Sequence, residues 1–196
     1  MMLQQMIEFD RALFLAMNNG LAHPFNDLFF GFFTLLGFAG VLLPLTALFL
    51  FLYHPKSFLW NMAVVLCGIL VGAALLHTLK EIVARPRPLS DFWNLQEKGE
   101  VVVHTLFQKL VGNNSFPSGH AQLAFGTAVG LARIYPAGTL FFLLIASLIG
   151  ISRIYVGAHF PLDVLMGALL GSGASLLVFR MAKNLRFNEA RQNNRF

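Results

Sequence analysis

Long uncharged stretches alternate along this chain with short polar interruptions. Leu28 to Tyr53 and Ser57 to Leu79 contain no Asp, Glu, Lys or Arg, and each exceeds the roughly 20 residues that cross a bilayer core as a helix. Three shorter apolar runs follow, Pro117 to Ala132, Ala137 to Ser152 and Pro161 to Phe179, punctuated by Arg133, Pro136, Arg153 and Pro161. The pattern predicts an all-α, polytopic membrane helical bundle of about five transmembrane helices. Leu3, Met6, Ile7, Phe14 and Met17 recur at helical spacing, but Glu8, Asp10 and Arg11 make that segment too polar to span. Residues 1–20 are therefore expected as an interfacial helix. It lacks the basic start, apolar stretch and cleavage site of a secretory signal. The 89–116 connection is expected as a partly helical outer loop, since Val103, Leu106, Phe107, Leu110 and Val111 follow an i, i+3, i+4, i+7, i+8 pattern.

Composition strengthens the membrane reading. Of 196 residues, 57% are hydrophobic and 12% charged, and the mean hydropathy is +0.67. No linker, repeat or low-complexity tract divides the chain, so residues 1–196 read as one membrane domain. A net charge of +5 without a basic stripe interleaved with aromatics gives no reason to expect nucleic acid. Instead, Arg180, Lys183, Arg186, Arg191 and Arg195 fall at the C-terminus, with residues 181–196 reading as a basic cytoplasmic tail. Five spans then put the 89–116 loop outside. Raw Lys and Arg counts split seven to seven between the sides, and three to seven once the four in the polar motifs below are set aside. The lone Cys67 forms no intramolecular disulfide.

Three polar clusters break the apolar pattern: Lys80 with Arg85-Pro86-Arg87-Pro88, Ser115 to His120, and Ser152-Arg153 with His159 and Asp163. Span counting brings all three to one membrane face. Lys80, Arg85, Arg87 and Arg153, with a hydroxyl and two histidines, suit a multiply charged oxyanion such as phosphate. Pro117 and Pro161 are placed for first helical turns, whose N–H groups would face the same pocket. Gly119 would let backbone approach an anion closely, and Ser118 is expected to donate a hydrogen bond to it. Asp163 follows His159 by four residues, near enough to hold its Nδ1–H and leave Nε2 as nucleophile; His120 is then the general acid and later base. Few carboxylates beside many cations make a poor divalent-metal site, so no metal or other cofactor is expected. Arg85 is assigned a supporting phosphate or headgroup role, His77 a hydrogen bond between helices, and His104 and Asp91 solvation.

K-x6-R-P (Lys80 to Pro88), P-S-G-H (Pro117 to His120) and S-R-x5-H-x3-D (Ser152 to Asp163) together resemble the tripartite signature of the phosphatidic acid phosphatase type 2 superfamily, in its bacterial membrane branch. The resemblance implies a phosphohistidine on His159, protonation of the leaving group by His120, orientation by Asp163, and a phosphate cradle of Lys80, Arg87, Ser118, Gly119 and Arg153. It also implies metal independence. The expected substrate is a lipid phosphate or pyrophosphate, with undecaprenyl pyrophosphate or broad specificity favoured over phosphatidylglycerophosphate, phosphatidic acid or the lipid A 1-phosphate. A lipid phosphotransferase with the same intermediate, a polar-substrate phosphatase and a non-catalytic anion-binding membrane protein are the alternatives. The expected location is a bacterial inner membrane, with the pocket on the outer face.

Overall fold

The computed structural model describes residues 2–107 and 111–193, and every described element is helical. In order the α-helices are α1 (Met2–Asn18), α2 (Pro24–Leu36), α3 (Ala39–Tyr53), α4 (Phe58–Val83), α5 (Pro88–Asp91), α6 (Trp93–Glu97), α7 (Gly119–Ile134), α8 (Thr139–Tyr155) and α9 (Pro161–Asn193), with short 3-10 turns at Pro55–Ser57 and Pro136–Gly138. Three helical stretches, Pro55–Glu97, Pro136–Tyr155 and Pro161–Leu185, are long and apolar enough to cross a membrane.

The expected first span, Leu28 to Tyr53, is not one straight helix. It breaks at Gly37–Phe38 into α2 and α3, which meet at 69° and together make up to a fourth crossing. Gly37 closes α2 by donating its N–H to the Phe33 carbonyl (3.1 Å), the next N–H, of Phe38, goes to the Leu35 carbonyl (3.1 Å), and Phe38 is extended at the start of α3. The expected third span, α7, has only 16 residues, about 24 Å of helix, because Ser118 caps one end and Pro136 follows the other.

α7 packs against α4, α8 and α9, and small residues allow the close approach. A Cβ on Gly68 of α4 would sit 2.8 Å from Ser175 Oγ on α9. Ser175 donates to the Gly126 carbonyl of α7 at 2.8 Å, and Gln122 of α7 donates to the Ile69 carbonyl of α4 at 3.0 Å. Polar side chains thus tie the three helices where no water is available.

α1 is a helix as expected, but it turns Asp10, Phe14 and Asn18 inward, whereas Met6 and Ile7 are exposed. Its inner face thus combines Phe14, packed with Leu89, Phe92 and Phe160, with the polar Asp10 and Asn18. Asn18 donates to the carbonyls of His104 (2.8 Å) and Tyr155 (2.7 Å) and accepts from His104 N–H (2.8 Å), so it pins the 89–116 connection to the end of α8. In that connection the helices are α5 and α6; the described residues of the 103–111 segment are not helical. Lys109 and Leu110, and Arg195 of the tail, lie outside the described residues.

Candidate active site

Each polar motif follows from a local chain reversal. α4 ends with Ala84 in the left-handed conformation, φ 44°, and the following Arg85 and Arg87 both precede a proline, which disfavours helix. The chain therefore turns back over the end of α4, and Lys80 and Arg87 reach the same cavity. At the other side α8 ends at Tyr155, and Gly157 adopts φ +74°. A Cβ there would lie 2.7 Å from the His104 carbonyl oxygen, so glycine permits the turn that carries His159 back beside Arg153. α9 then starts at Pro161, as the sequence predicts.

A cavity of about 340 Å³ lies where these reversals meet, lined by Lys80, Arg87, Gly119, His120, Arg153 and His159. Thr34 and Phe38, from either side of the α2–α3 break, complete the wall together with Leu106, Phe107 and Val156. No carboxylate among the described residues lines it. Lys80 Nζ donates to the Asn114 carbonyl at 2.8 Å, and Arg87 Nη1 to the Ala158 carbonyl at 3.2 Å. The buried Arg153 donates from Nη1 to the Thr34 hydroxyl. Its Nε and the Nε2 of His120 are buried without a hydrogen-bond partner among the described residues, a costly state unless a ligand supplies the acceptor or donor. The Phe38 ring meets the His120 ring edge-on at 4.8 Å.

His159 is held differently from the arrangement its spacing predicts. Nδ1 lies 2.7 Å from the Ser115 carbonyl oxygen and 3.8 Å from Asp163 Oδ2. A carbonyl only accepts, so Nδ1 carries the hydrogen and Nε2 is the bare nitrogen. Asp163 instead takes hydrogen bonds from Ser115 Oγ (2.6 Å), Phe160 N–H (2.8 Å) and Arg85 Nη1 (2.8 Å). It fixes the residue that fixes His159. Burial pushes the His159 imidazole down to about 4, with Asp163 acting in the opposite sense, so the ring is neutral near pH 7.

Other predicted residues stand elsewhere. Pro117 precedes α7 rather than opening it, and Ser118 is the buried cap, its Oγ accepting from Ala121 N–H at 3.5 Å. It does not line the cavity, whereas Gly119 does. Arg85 bridges Asp163 (2.8 Å) and Asp10 (2.7 Å), with its guanidinium 4.0 Å over the Phe160 ring. His77 is exposed on α4 and makes no hydrogen bond among the described residues. His104 and Asp91 are not merely solvated, since His104 meets Asp27 at 2.7 Å and Asp91 takes two bonds from Arg11 at 2.6 and 2.7 Å. Asp10, Thr34 and Phe38 escape the motif reading, and Ser115, which stands inside the second motif, is given no role there. For Asp10 a signal existed, because Asp10, Phe14 and Asn18 share one helical face.

The family model described as PAP2 superfamily matches residues 58–187. The chain belongs to the PAP2 superfamily. Its fold resembles that of Aquifex aeolicus LpxE, with a TM-score of 0.72 and 34% identity over 86% of this chain and 93% of that one. The transmembrane PAP2 type phosphatidylglycerolphosphate phosphatase of Bacillus subtilis aligns with a TM-score of 0.69 and 28% identity over 92% and 87%. In sequence, the lipid A 4'-phosphatase of Bacteroides thetaiotaomicron is 30% identical over 178 residues, covering 85% of this chain and 74% of that relative. More local matches also occur, in which the chain spans between 37% and 49% of the relatives' length. Together with its apolar helices, the similarity to these PAP2 membrane phosphatases makes the chain an integral membrane protein.

Proposed function

We propose that this PAP2 protein hydrolyses the phosphate or pyrophosphate of a lipid, through a phosphohistidine formed on His159. The observation that carries the proposal is the pair of buried, unpartnered atoms Arg153 Nε and His120 Nε2 at a cavity bounded by Lys80, Arg87 and His159. An incoming phosphate supplies acceptors to both the arginine and a protonated His120, and negative charge to a wall that has none.

In the first step the Nε2 lone pair attacks phosphorus, the bond from phosphorus to the leaving oxygen breaks, and His120 gives that oxygen its proton. In the second, His120 takes a proton from water, the hydroxyl oxygen attacks phosphorus, and the P–N bond breaks to release phosphate. Lys80, Arg87, Arg153 and the Gly119 backbone at the start of α7 hold the phosphoryl oxygens. Ser118 contributes by capping that helix, and Asp163 and Ser115 by holding the His159 ring.

The apolar surroundings support a lipid rather than a sugar phosphate. Lipid A phosphates and phosphatidylglycerophosphate join undecaprenyl pyrophosphate as substrates to test first, because the relatives matched over most of their length include a lipid A 4'-phosphatase and a phosphatidylglycerolphosphate phosphatase. With α7 counted as a crossing, Lys56, Arg133, Arg180 and Lys183 fall at the end opposite the cavity. The positive-inside rule then favours a cytoplasmic C-terminus and an outward-facing site.

The test is phosphate release by purified protein in detergent with excess EDTA, over undecaprenyl pyrophosphate, phosphatidylglycerophosphate, phosphatidic acid and lipid A phosphates. Release from at least one lipid, lost in His159→Ala, is expected. No release from any, or full activity of His159→Ala, overturns the proposal. An added acceptor alcohol that captures the phosphoryl group in place of water would favour a phosphotransferase.

A further inference from the structure

A second, larger cavity, of about 710 Å³, opens at the other end of the bundle. α7 connects the two: His120 stands in its first turn and Arg133 in its last, 13 positions away, about 20 Å along the helix. The floor is apolar, formed by Val64 of α4, Val129 of α7, Leu143 of α8 and Leu176 and Phe179 of α9. Its rim carries Arg133 and Lys183, both exposed, and no carboxylate among the described residues lines it. The Arg133 guanidinium lies 5.5 Å over the Phe179 ring, so it leans on the groove wall with its charge at the mouth.

We propose that this groove binds an anionic phospholipid from the leaflet opposite the active-site cavity. The charge pattern selects that occupant. Two cations above an apolar floor match a phosphate headgroup above an acyl chain, and a zwitterionic lipid would bring a compensating cation to the same rim. The size fits part of a lipid, since ligand cavities of roughly 300–1,000 Å³ take drug-sized apolar groups. Trp60, on the α4 wall of the groove, is the kind of residue found at the membrane interface. This site is independent of the proposed chemistry at His159.

Trp60 also provides the readout. In a Trp93→Phe background it is the sole tryptophan, and lipids brominated on their acyl chains quench its fluorescence on contact. Full-chain protein in uncharged detergent is titrated with brominated phosphatidylglycerol or brominated phosphatidylcholine. Phosphatidylglycerol is expected to reach half-quenching at about tenfold lower lipid fraction, given two rim cations. Arg133→Gln with Lys183→Gln removes that preference while phosphatidylcholine quenching stays the same, and 0.5 M salt weakens it in the unmodified rim. Glycerol phosphate does not displace the lipid, and His159→Ala keeps the preference. Equal quenching by the two lipids, a preference indifferent to salt, or one that survives the double substitution overturns the proposal. So does a preference that disappears in His159→Ala, since the lipid would then be bound at the other cavity.

Discussion

His159 stands in a turn between two helices, and its ring nitrogens meet different surroundings: Nδ1 a backbone carbonyl, Nε2 the cavity. Because burial holds its pKa near 4, below the ordinary 6.5 or so, protonation favours the unfolded chain. Its contribution to stability is therefore complete above about pH 6.5 and lost as pH falls toward 4. Nitrogen NMR of histidine-labelled protein, assigned with His159→Gln, is expected to show this ring neutral at pH 6; a midpoint at or above 6.5 contradicts the structure. Ser115→Ala removes the hydroxyl donated to Asp163 but keeps the carbonyl that receives Nδ1–H. Loss of a hydrogen bond to a charged group predicts a fall in kcat of about 10- to 100-fold, with KM little changed and phosphate labelling of His159 slowed equally. Unaltered kcat would show that Asp163 does not act through Ser115. A Cβ at Gly119 meets nothing within 4 Å, so Gly119→Ala is expected to leave thermal stability unchanged and raise KM, because the methyl occupies anion space.

Elements differ in how far the sequence reveals them. α4 is legible because its uncharged run is continuous and its end is marked by Lys80 and two Arg-Pro pairs. The α2–α3 break is not: Leu28 to Tyr53 is uniformly apolar, and hydropathy has no period from which a bend could be read. The reason for the bend is tertiary, since a Cβ at Gly37 would fall 2.6 Å from Ile149 and the Phe38 ring packs edge-on against His120. α1 is half legible, as its helical spacing is evident but its inward polar stripe depends on partners some 75 to 150 residues away, Arg85 and Leu162 for Asp10. Asn18→Ala strands the His104 and Tyr155 carbonyls. Each buried unsatisfied group costs about 1–3 kcal/mol, so a clear loss of thermal stability in detergent is expected. Gly157→Ala imposes the left-handed conformation on a Cβ-bearing residue, about 1–2 kcal/mol, and adds the clash with His104. It should destabilise the fold and, by displacing His159, lower activity further than its stability loss explains.

For the whole molecule, the motifs made the convergence of Lys80, Arg87, His120, Arg153 and His159 legible, because span counting fixes which helix ends share a face. Sidedness has its own measurement. In a Cys67→Ser background, a membrane-impermeant maleimide applied to intact cells should label Lys98→Cys and leave Asn184→Cys unlabelled until the membrane is opened; the reverse pattern inverts the orientation. The bridge from Asp10 through Arg85 to Asp163 bears on where this enzyme-like core begins. Residues 58–187 match the superfamily and hold all three motifs, yet Asp10, Thr34 and Phe38 come from ahead of them. A cut-down chain limited to that stretch would keep every signature residue and lose the carboxylate shared by Arg85, the hydroxyl under Arg153 and the ring beside His120. Completeness of the motifs and completeness of the site are thus separate properties, and shortening or grafting this protein should be judged by the second.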